Sequence, residues 1–398
     1  MTRRGLCVVG LVVCAEGLFV NRTVVVDKDA TPNMVIPGSD KGGTSDAFNA
    51  IVKHVEWAAK YEVNCDKKGG NGSPMTARDR DKCRQKSKEL GCLYRGGNLE
   101  SWRRCYKQYV PQGKLGAKPK LWMDGTPNYL WGWCRGTDAA SRLYELSPRT
   151  VGVFLLRDPV SRLRSLFNYW SSGQIGEELG PRLEAHVRSD LEYLAAPVVY
   201  EERGHPEKRE VLSVERLLSE GGRHVYELYM RRYATWAGEA LPRERCVEVI
   251  GVKQQRRGPW AENARRAPCP IFANFVLTSV YFPLLKHWIG LFPEQVVVVQ
   301  SEYYFQDRQT LLALFGYGRE PRIDGPPLDS HARKVKNRGH YDVADTSSLT
   351  NETAAKLEAF FERPNGDLVA LLAGEAARGR IIVSPDPEVA GSWWRPEP

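Results

Sequence analysis

A short apolar run, Met34-Val35-Ile36, passes straight into Pro37-Gly38-Ser39-Asp40-Lys41-Gly42-Gly43-Thr44-Ser45, after which Ala47, Phe48, Ile51, Val52 and Val55 recur at helical spacing. This is the pattern of a strand, a tight loop and a helix. The unit recurs: Pro148 precedes a second apolar strand, Thr150 to Leu156, which ends at Arg157-Asp158-Pro159 and gives way to helical periodicity through Trp170. A third strand is expected at Val296 to Gln300. Strands buried on both faces and alternating with helices predict a parallel sheet of the α/β class.

The length, 398 residues, allows two or three domains of about 150 residues, or one large decorated domain. With 42% hydrophobic and 26% charged residues, the chain is neither collagen-like, fully disordered nor a multi-span membrane protein. The net charge of +9 favours an anionic partner. Arg3-Arg4 followed by an apolar stretch broken at Glu16 predicts a signal peptide or a marginal signal anchor over residues 1–20. Nine cysteines without CxxC pairs point to disulfides rather than a zinc site, and sequons at Asn21, Asn71 and Asn351 agree with the secretory pathway. Cys246 is expected to pair with Cys269, and two bridges are expected among Cys65, Cys83, Cys92, Cys105 and Cys134. Residues 63–95, polar and cysteine-bearing, read as a disulfide-pinned insertion outside the core. Residues 171–270 read as helical segments with arginine doublets at 231–232, 256–257 and 265–266, and the chain is expected to close with a loose tail at 376–398.

The loop from Gly38 to Ser45 has what a phosphate cradle needs. Glycines admit close approach of an oxyanion, the next helix presents its positive end, and Lys41 adds a point charge. Its spacing is not that of a Walker A motif, because the lysine precedes Gly42-Gly43. Arg157, at a strand end, and Ser165, eight residues later on the following helix, are a second candidate anion site. Two such sites at the carboxyl ends of parallel strands predict a ligand with phosphates at both ends.

On these and three further stretches the chain resembles the sulfotransferases that use 3'-phosphoadenosine 5'-phosphosulfate (PAPS), closest to the Golgi carbohydrate type. Lys41-Gly42-Gly43-Thr44 is similar to the family's 5'-phosphosulfate loop, and Arg157 with Ser165 to its 3'-phosphate motif. Asp124-Gly125-Thr126-Pro127-Asn128-Tyr129-Leu130 is similar to its E-K-[ST]-P-A-Y-F segment, with Gly125 in place of the lysine. Ser279-Val280-Tyr281 through Trp288 and Phe292-Pro293 resembles its helix–strand unit, and Lys336-Asn337-Arg338-Gly339-His340 its loop over the cofactor.

The resemblance implies a P-loop-like, three-layer α/β domain over residues 21–375, with helices on both faces of a parallel sheet of about five strands. It implies transfer of a sulfuryl group from PAPS to a glycan hydroxyl in the Golgi lumen or after secretion, with no metal and no nucleic-acid partner, and membrane attachment through the N-terminal segment if the leader is retained. Lys41, Gly42, Gly43, Thr44 and Ser45 would hold the 5'-phosphosulfate, Arg157 and Ser165 the 3'-phosphate, and Lys336 and Arg338 would close over the cofactor. Lys41 would also act in catalysis, stabilising charge on the leaving phosphate. The acceptor needs a base. Glu62, about twenty residues past Lys41, is the first choice, and Glu89, ahead of Trp102, the second. Asp124 is expected to contact the sugar or orient Lys41, and His54 to be structural. Alternative readings are sulfation of protein tyrosine or another small acceptor, and an inactive glycan-binding relative.

Overall fold

The computed structural model describes residues 31–55, 58–61, 87–94, 97–110, 121–130, 138–171, 183–184, 187–188, 190–191, 198–202, 205–212, 276–306, 308–314 and 349–385. Six strands form one sheet: β1 (Met34–Gly38), β2 (Ala58–Lys60), β3 (Leu121–Asp124), β4 (Val151–Leu156), β7 (Val296–Gln300) and β8 (Ile381–Ser384). Their order is β2-β3-β1-β4-β7-β8, and every pairing is parallel. From β1 the chain goes out to the β2 edge, returns to β3, and only then crosses to β4 on the other side of β1. The winding therefore reverses at the β1/β4 junction. Parallel sheets open a crevice for ligands there, beyond the carboxyl ends of the two strands.

The strand sequences alternate between two cores, which makes three layers. Val35, Phe154, Leu156, Val296 and Val298 face one side. There they meet α2 (Leu99–Lys107), α3 (Ala139–Leu146), α5 (Phe282–Leu291) and the second half of α8 (Asn351–Ala377). Met34, Ile36, Val153, Leu155, Val297 and Val299 face the other side, against α1 (Thr44–His54), α6 (Ser301–Gln306) and α7 (Arg308–Ala313). A third cluster joins α4 (Pro159–Ser171), through Leu163 and Phe167, to Leu357 and Phe361 in the first half of α8.

The fold is the expected α/β one, with corrections of detail. Ile381–Ser384, assigned above to a loose tail, is an edge strand paired with β7, so the sheet has six strands rather than about five. Within 171–270, read as helical, β5 (Val198–Glu202) and β6 (His205–Leu212) pair antiparallel as a separate ribbon. Val198-Val199-Tyr200 and Val211-Leu212, paired at its one open end, supply β-branched and aromatic residues, and there strand propensity outweighs the charged run between them.

Residues 87–94 lie at the end of the supposed insertion, yet Leu90, Cys92 and Leu93 belong to the core. A disulfide, Cys92–Cys105, ties this segment to α2, one of the bridges expected among the five central cysteines. Helix α2 starts at a capping box between Asn98 and Ser101, and buries Trp102, Cys105 and Tyr106 on one face. Cys65, Cys83, Cys134, Cys246 and Cys269, the leader, the sequons at Asn21 and Asn71, the arginine doublets and residues 386–398 lie outside the described residues. Among the described residues no helix is long and apolar enough to cross a membrane.

Candidate active site

The glycine loop follows β1 at the winding reversal. Ser39 stitches its start to β4: both its N–H (2.8 Å) and its Oγ (3.1 Å) donate to the Leu155 carbonyl. The Gly42 N–H closes a turn on the Ser39 carbonyl at 2.9 Å. Lys41 (φ 66°) and Gly43 (φ 92°) are left-handed, a conformation that costs a non-glycine residue about 1–2 kcal/mol. Gly42 is required for a different reason: a Cβ there would stand 2.6 Å from the Leu155 carbonyl oxygen.

Four successive carbonyls of the loop, from Asp40 to Gly43, are engaged within the protein. Arg162 Nε donates to the Asp40 carbonyl (3.0 Å), Arg157 Nη1 to that of Lys41 (3.1 Å) and Ser301 Oγ to that of Gly42 (2.7 Å). The Gly43 carbonyl accepts from the N–H groups of Asp46 and Ala47. A trans peptide points its C=O and N–H in opposite directions. With the Gly42 and Gly43 carbonyls held this way, the N–H groups of Gly43 and Thr44 face away from those partners. Gly43 is also the N-cap of α1 and offers no side-chain acceptor, so the positive end of the helix is left for an anion.

Arg157 extends from the end of β4 and joins the two predicted anion sites directly through its bond to Lys41. Its own carbonyl accepts from Tyr281 Oη at 3.0 Å, and Glu302 lies 3.9 Å from its Nε. Burial pushes the Tyr281 hydroxyl up to about 12 and raises the Glu302 carboxyl. Burial also lowers the Lys41 ammonium below the ordinary lysine value; Asp40 opposes this and Arg157 adds to it. A cation made costly by desolvation is one that a bound anion stabilises. Ser165 sits half-buried in the second turn of α4, and no hydrogen bond joins it to Arg157.

Arg162 was not singled out from the sequence. Its side chain is buried, and besides Asp40 it donates to Thr278 Oγ1 (3.1 Å) and Ser279 Oγ (2.9 Å). It holds the loop from behind rather than facing a ligand. An arginine on a helix's buried face was the available signal, hidden among the neighbouring arginines at 157 and 164.

Residues 87–94 pack beside the start of α1. The Gly125 N–H donates to the Lys88 carbonyl (2.7 Å), and the Gly91 N–H to Thr126 Oγ1 (3.2 Å). This brings Lys88 Nζ to 2.8 Å from Ser45 Oγ on α1 and 2.7 Å from Glu89 Oε1. Glu89 is open to solvent, its side chain 45% exposed. Glu62 lies just past β2 and buried Tyr61, and with Lys336 and Arg338 it falls outside the described residues. His54 closes α1 beside Lys53, whose charge suits the helix dipole, while burial and then Lys53 lower the His54 imidazolium below the ordinary histidine value.

Asp124 corrects an expectation. It is fully buried, and its carboxylate accepts from the Thr126 N–H and Oγ1 and from the hydroxyls of Tyr106 (2.9 Å) and Tyr129 (2.8 Å). With no exposed surface and four donors already bound, it contacts neither a sugar nor Lys41. It pins β3 to the 3-10 turn Pro127–Tyr129, whose neighbour Leu130 bonds the Pro37 carbonyl at the root of the loop. Burial raises its carboxyl in spite of those hydrogen bonds.

The arrangement can hold an anion on backbone N–H groups, Lys41 and a helix end, with Arg157 on the adjacent strand end and the Glu89 carboxylate linked through Lys88 to Ser45. The glycine cradle and the half-buried lysine fit a phosphosulfate; the described residues contain no group of three or more His, Cys, Asp or Glu that could hold a metal.

Neither a protein-family model nor a curated protein matches the chain. Among solved structures it is similar to a sulfotransferase from Alicyclobacillus acidocaldarius, at 16% identity over 85% of this chain and 95% of that one, with a TM-score of 0.39.

Proposed function

We propose that this protein is a sulfotransferase that moves the sulfuryl group of PAPS to a hydroxyl of a carbohydrate acceptor. The observation that carries the reading is the junction of the two anion elements. Arg157, at the end of β4, donates to the Lys41 carbonyl of the β1 loop, so the two elements meet at the strand ends where the sheet winding reverses.

In this reading the N–H groups of Gly43, Thr44 and Ser45 hold the 5'-phosphate, and Lys41 stabilises the charge that develops on it as leaving group. Arg157 and Ser165 hold the 3'-phosphate, and Lys336 and Arg338 close over the nucleotide. The acceptor oxygen forms a bond to sulfur as the bond from sulfur to the 5'-phosphate oxygen breaks. The hydroxyl proton passes to a carboxylate, leaving 3',5'-adenosine bisphosphate (PAP) and the sulfate ester. Of the two carboxylates the sequence offers, Glu62 lies outside the described residues, and what supports Glu89 is that Lys88 ties it to Ser45 of the loop. A glycan acceptor accords with the net charge of +9 and with the leader and sequons of a secretory protein.

The test is transfer from radiolabelled PAPS to a panel of desulfated glycans, tyrosine peptides and small phenols, with PAP binding measured by calorimetry. Lys41→Ala is expected to lose both binding and turnover, and Glu89→Gln to lose turnover while still binding PAP. Loss of turnover in Glu62→Gln alone would move the base to that residue. Wild-type protein that bound neither PAP nor PAPS would end the proposal, and transfer to tyrosine peptides only would replace the acceptor class.

A further inference from the structure

Lys88 comes from a stretch whose sequence reads as an insertion, yet it is almost fully buried. Its stem crosses Gly125 and the Phe48 ring: a Cβ at position 125 would stand 3.0 Å from Lys88 Cγ and Cε and 2.7 Å from Phe48 Cδ2. Gly125 is thus the gap through which the lysine reaches the front of α1. An ammonium has three N–H bonds, and among the described residues two are accounted for, by Ser45 Oγ and Glu89 Oε1. Burying a lysine is costly, and this one places its charge beside a helix N-terminus, where a cation is electrostatically disfavoured and where the Glu89 carboxylate offsets it in this structure.

In-line transfer puts three things in a row: the acceptor oxygen beside its base, the sulfuryl group, and the phosphate it leaves. Lys88 Nζ bridges the first and third of these places, Glu89 and Ser45. We infer that Lys88 is the residue that contacts the sulfuryl oxygens of the donor, a catalytic cation additional to Lys41 and carried into the site over Gly125. The inference rests on the PAPS reading above and deepens it. On binding, the ammonium exchanges part of its contact with Glu89 for the sulfuryl oxygens, which frees the carboxylate to take the acceptor proton.

PAP lacks the sulfuryl group, and the comparison of the two nucleotides is therefore the test. Calorimetry on wild type, Lys88→Met and Lys88→Arg would measure PAPS and PAP with no acceptor present, using a non-reacting temperature and short titrations. Lys88→Met is expected to weaken PAPS about tenfold or more and PAP less than about threefold, with Lys88→Arg keeping most of the PAPS affinity. Gly125→Ala, which leaves the lysine in place but fills its path, is expected to show the same PAPS-selective loss. Equal weakening of both nucleotides by Lys88→Met would mean the residue merely props the loop, and no change in either would remove it from the site. Wild-type protein that ignored both nucleotides would instead sink the PAPS reading itself, so the two failures are distinguishable.

Discussion

Gly42→Ala adds one methyl group at the tightest point of the loop. The new Cβ would sit 2.6 Å from the Leu155 carbonyl oxygen, 2.7 Å from Ser39 Oγ and 2.9 Å from the Ser39 carbonyl oxygen, whereas ordinary contact begins at 3.4 Å. The overlaps are therefore 0.8, 0.7 and 0.5 Å, by subtraction from 3.4 Å. Two of the three atoms are backbone and cannot swing aside. Relief requires the loop to back away from β4, which stretches the two bonds from Ser39 to Leu155. Overpacking of this kind costs about 1–3 kcal/mol and each of the two weakened hydrogen bonds about 1 kcal/mol, so a stability loss of roughly 3–5 kcal/mol is expected. A shift of that size also moves the N–H groups of Gly43 and Thr44 out of bonding distance of an anion. At about 1.5–3 kcal/mol for each bond to a charged group, PAP affinity should fall about a hundredfold or more. Denaturant unfolding and calorimetry with PAP would measure the two effects. The control is Gly366→Ala in α8, where a Cβ meets nothing within 4 Å; it should be neutral or stabilise by up to about 1 kcal/mol and leave PAP binding alone. Wild-type PAP affinity in folded Gly42→Ala would refute the claim that this backbone is the anion cradle.

Three further outcomes follow from the same geometry. The lowered Lys41 ammonium loses its proton earlier than an ordinary lysine, and a bound anion favours the protonated form. PAP binding should therefore take up protons and weaken as pH rises through the alkaline range, and Lys41→Arg should flatten that profile; a wild-type affinity independent of pH would contradict it. Arg162→Met removes donors to Asp40, Thr278 and Ser279 together and should cost about 3 kcal/mol or more in denaturant unfolding, with weaker PAP binding although the residue faces no ligand. Equal PAP affinity at full occupancy of the folded state would show that the loop holds its shape without it. For Asp124 the folded carboxyl is raised, so the stabilising contribution of its proton is present below the ordinary carboxylate value and is lost as pH rises through the raised one. Asp124→Asn should then match or exceed wild-type melting temperature at neutral pH, with the difference shrinking on acidification. Asp124→Ala, which strands buried hydroxyls of Tyr106 and Tyr129 and the Thr126 N–H, should lose several kcal/mol, about 1–3 for each group.

The parts of the site that the sequence displays are those whose causes are local. Gly38 to Ser45 is legible because a buried strand, a glycine turn and an amphipathic helix each leave a pattern within a few residues, and Arg157 because it ends an apolar run. Strands β2, β3 and β8 have three or four residues each, too few for a period to emerge, so pattern alone marks neither β2 nor β3 and reads β8 as tail. Asp124 was matched to a motif but not to its surroundings. Its two tyrosine partners lie 18 residues before it and 5 after it, and only their convergence makes it a buried pin.

The sequence by itself determined the α/β class, the positions of β1, β4 and β7 along the chain and the loop able to approach an oxyanion, since backbone conformation and burial of a run depend on adjacent residues. Tertiary structure alone decided that Arg162 grips the loop from 122 residues away, that Lys88 reaches Ser45 across a gap of 43 residues, and that Gly125 is the opening it passes through. Those contacts are made by chain segments brought together when the sheet winds outward from β1 and reverses, and the direction of a side chain across such a distance is set by packing rather than by its neighbours in the chain.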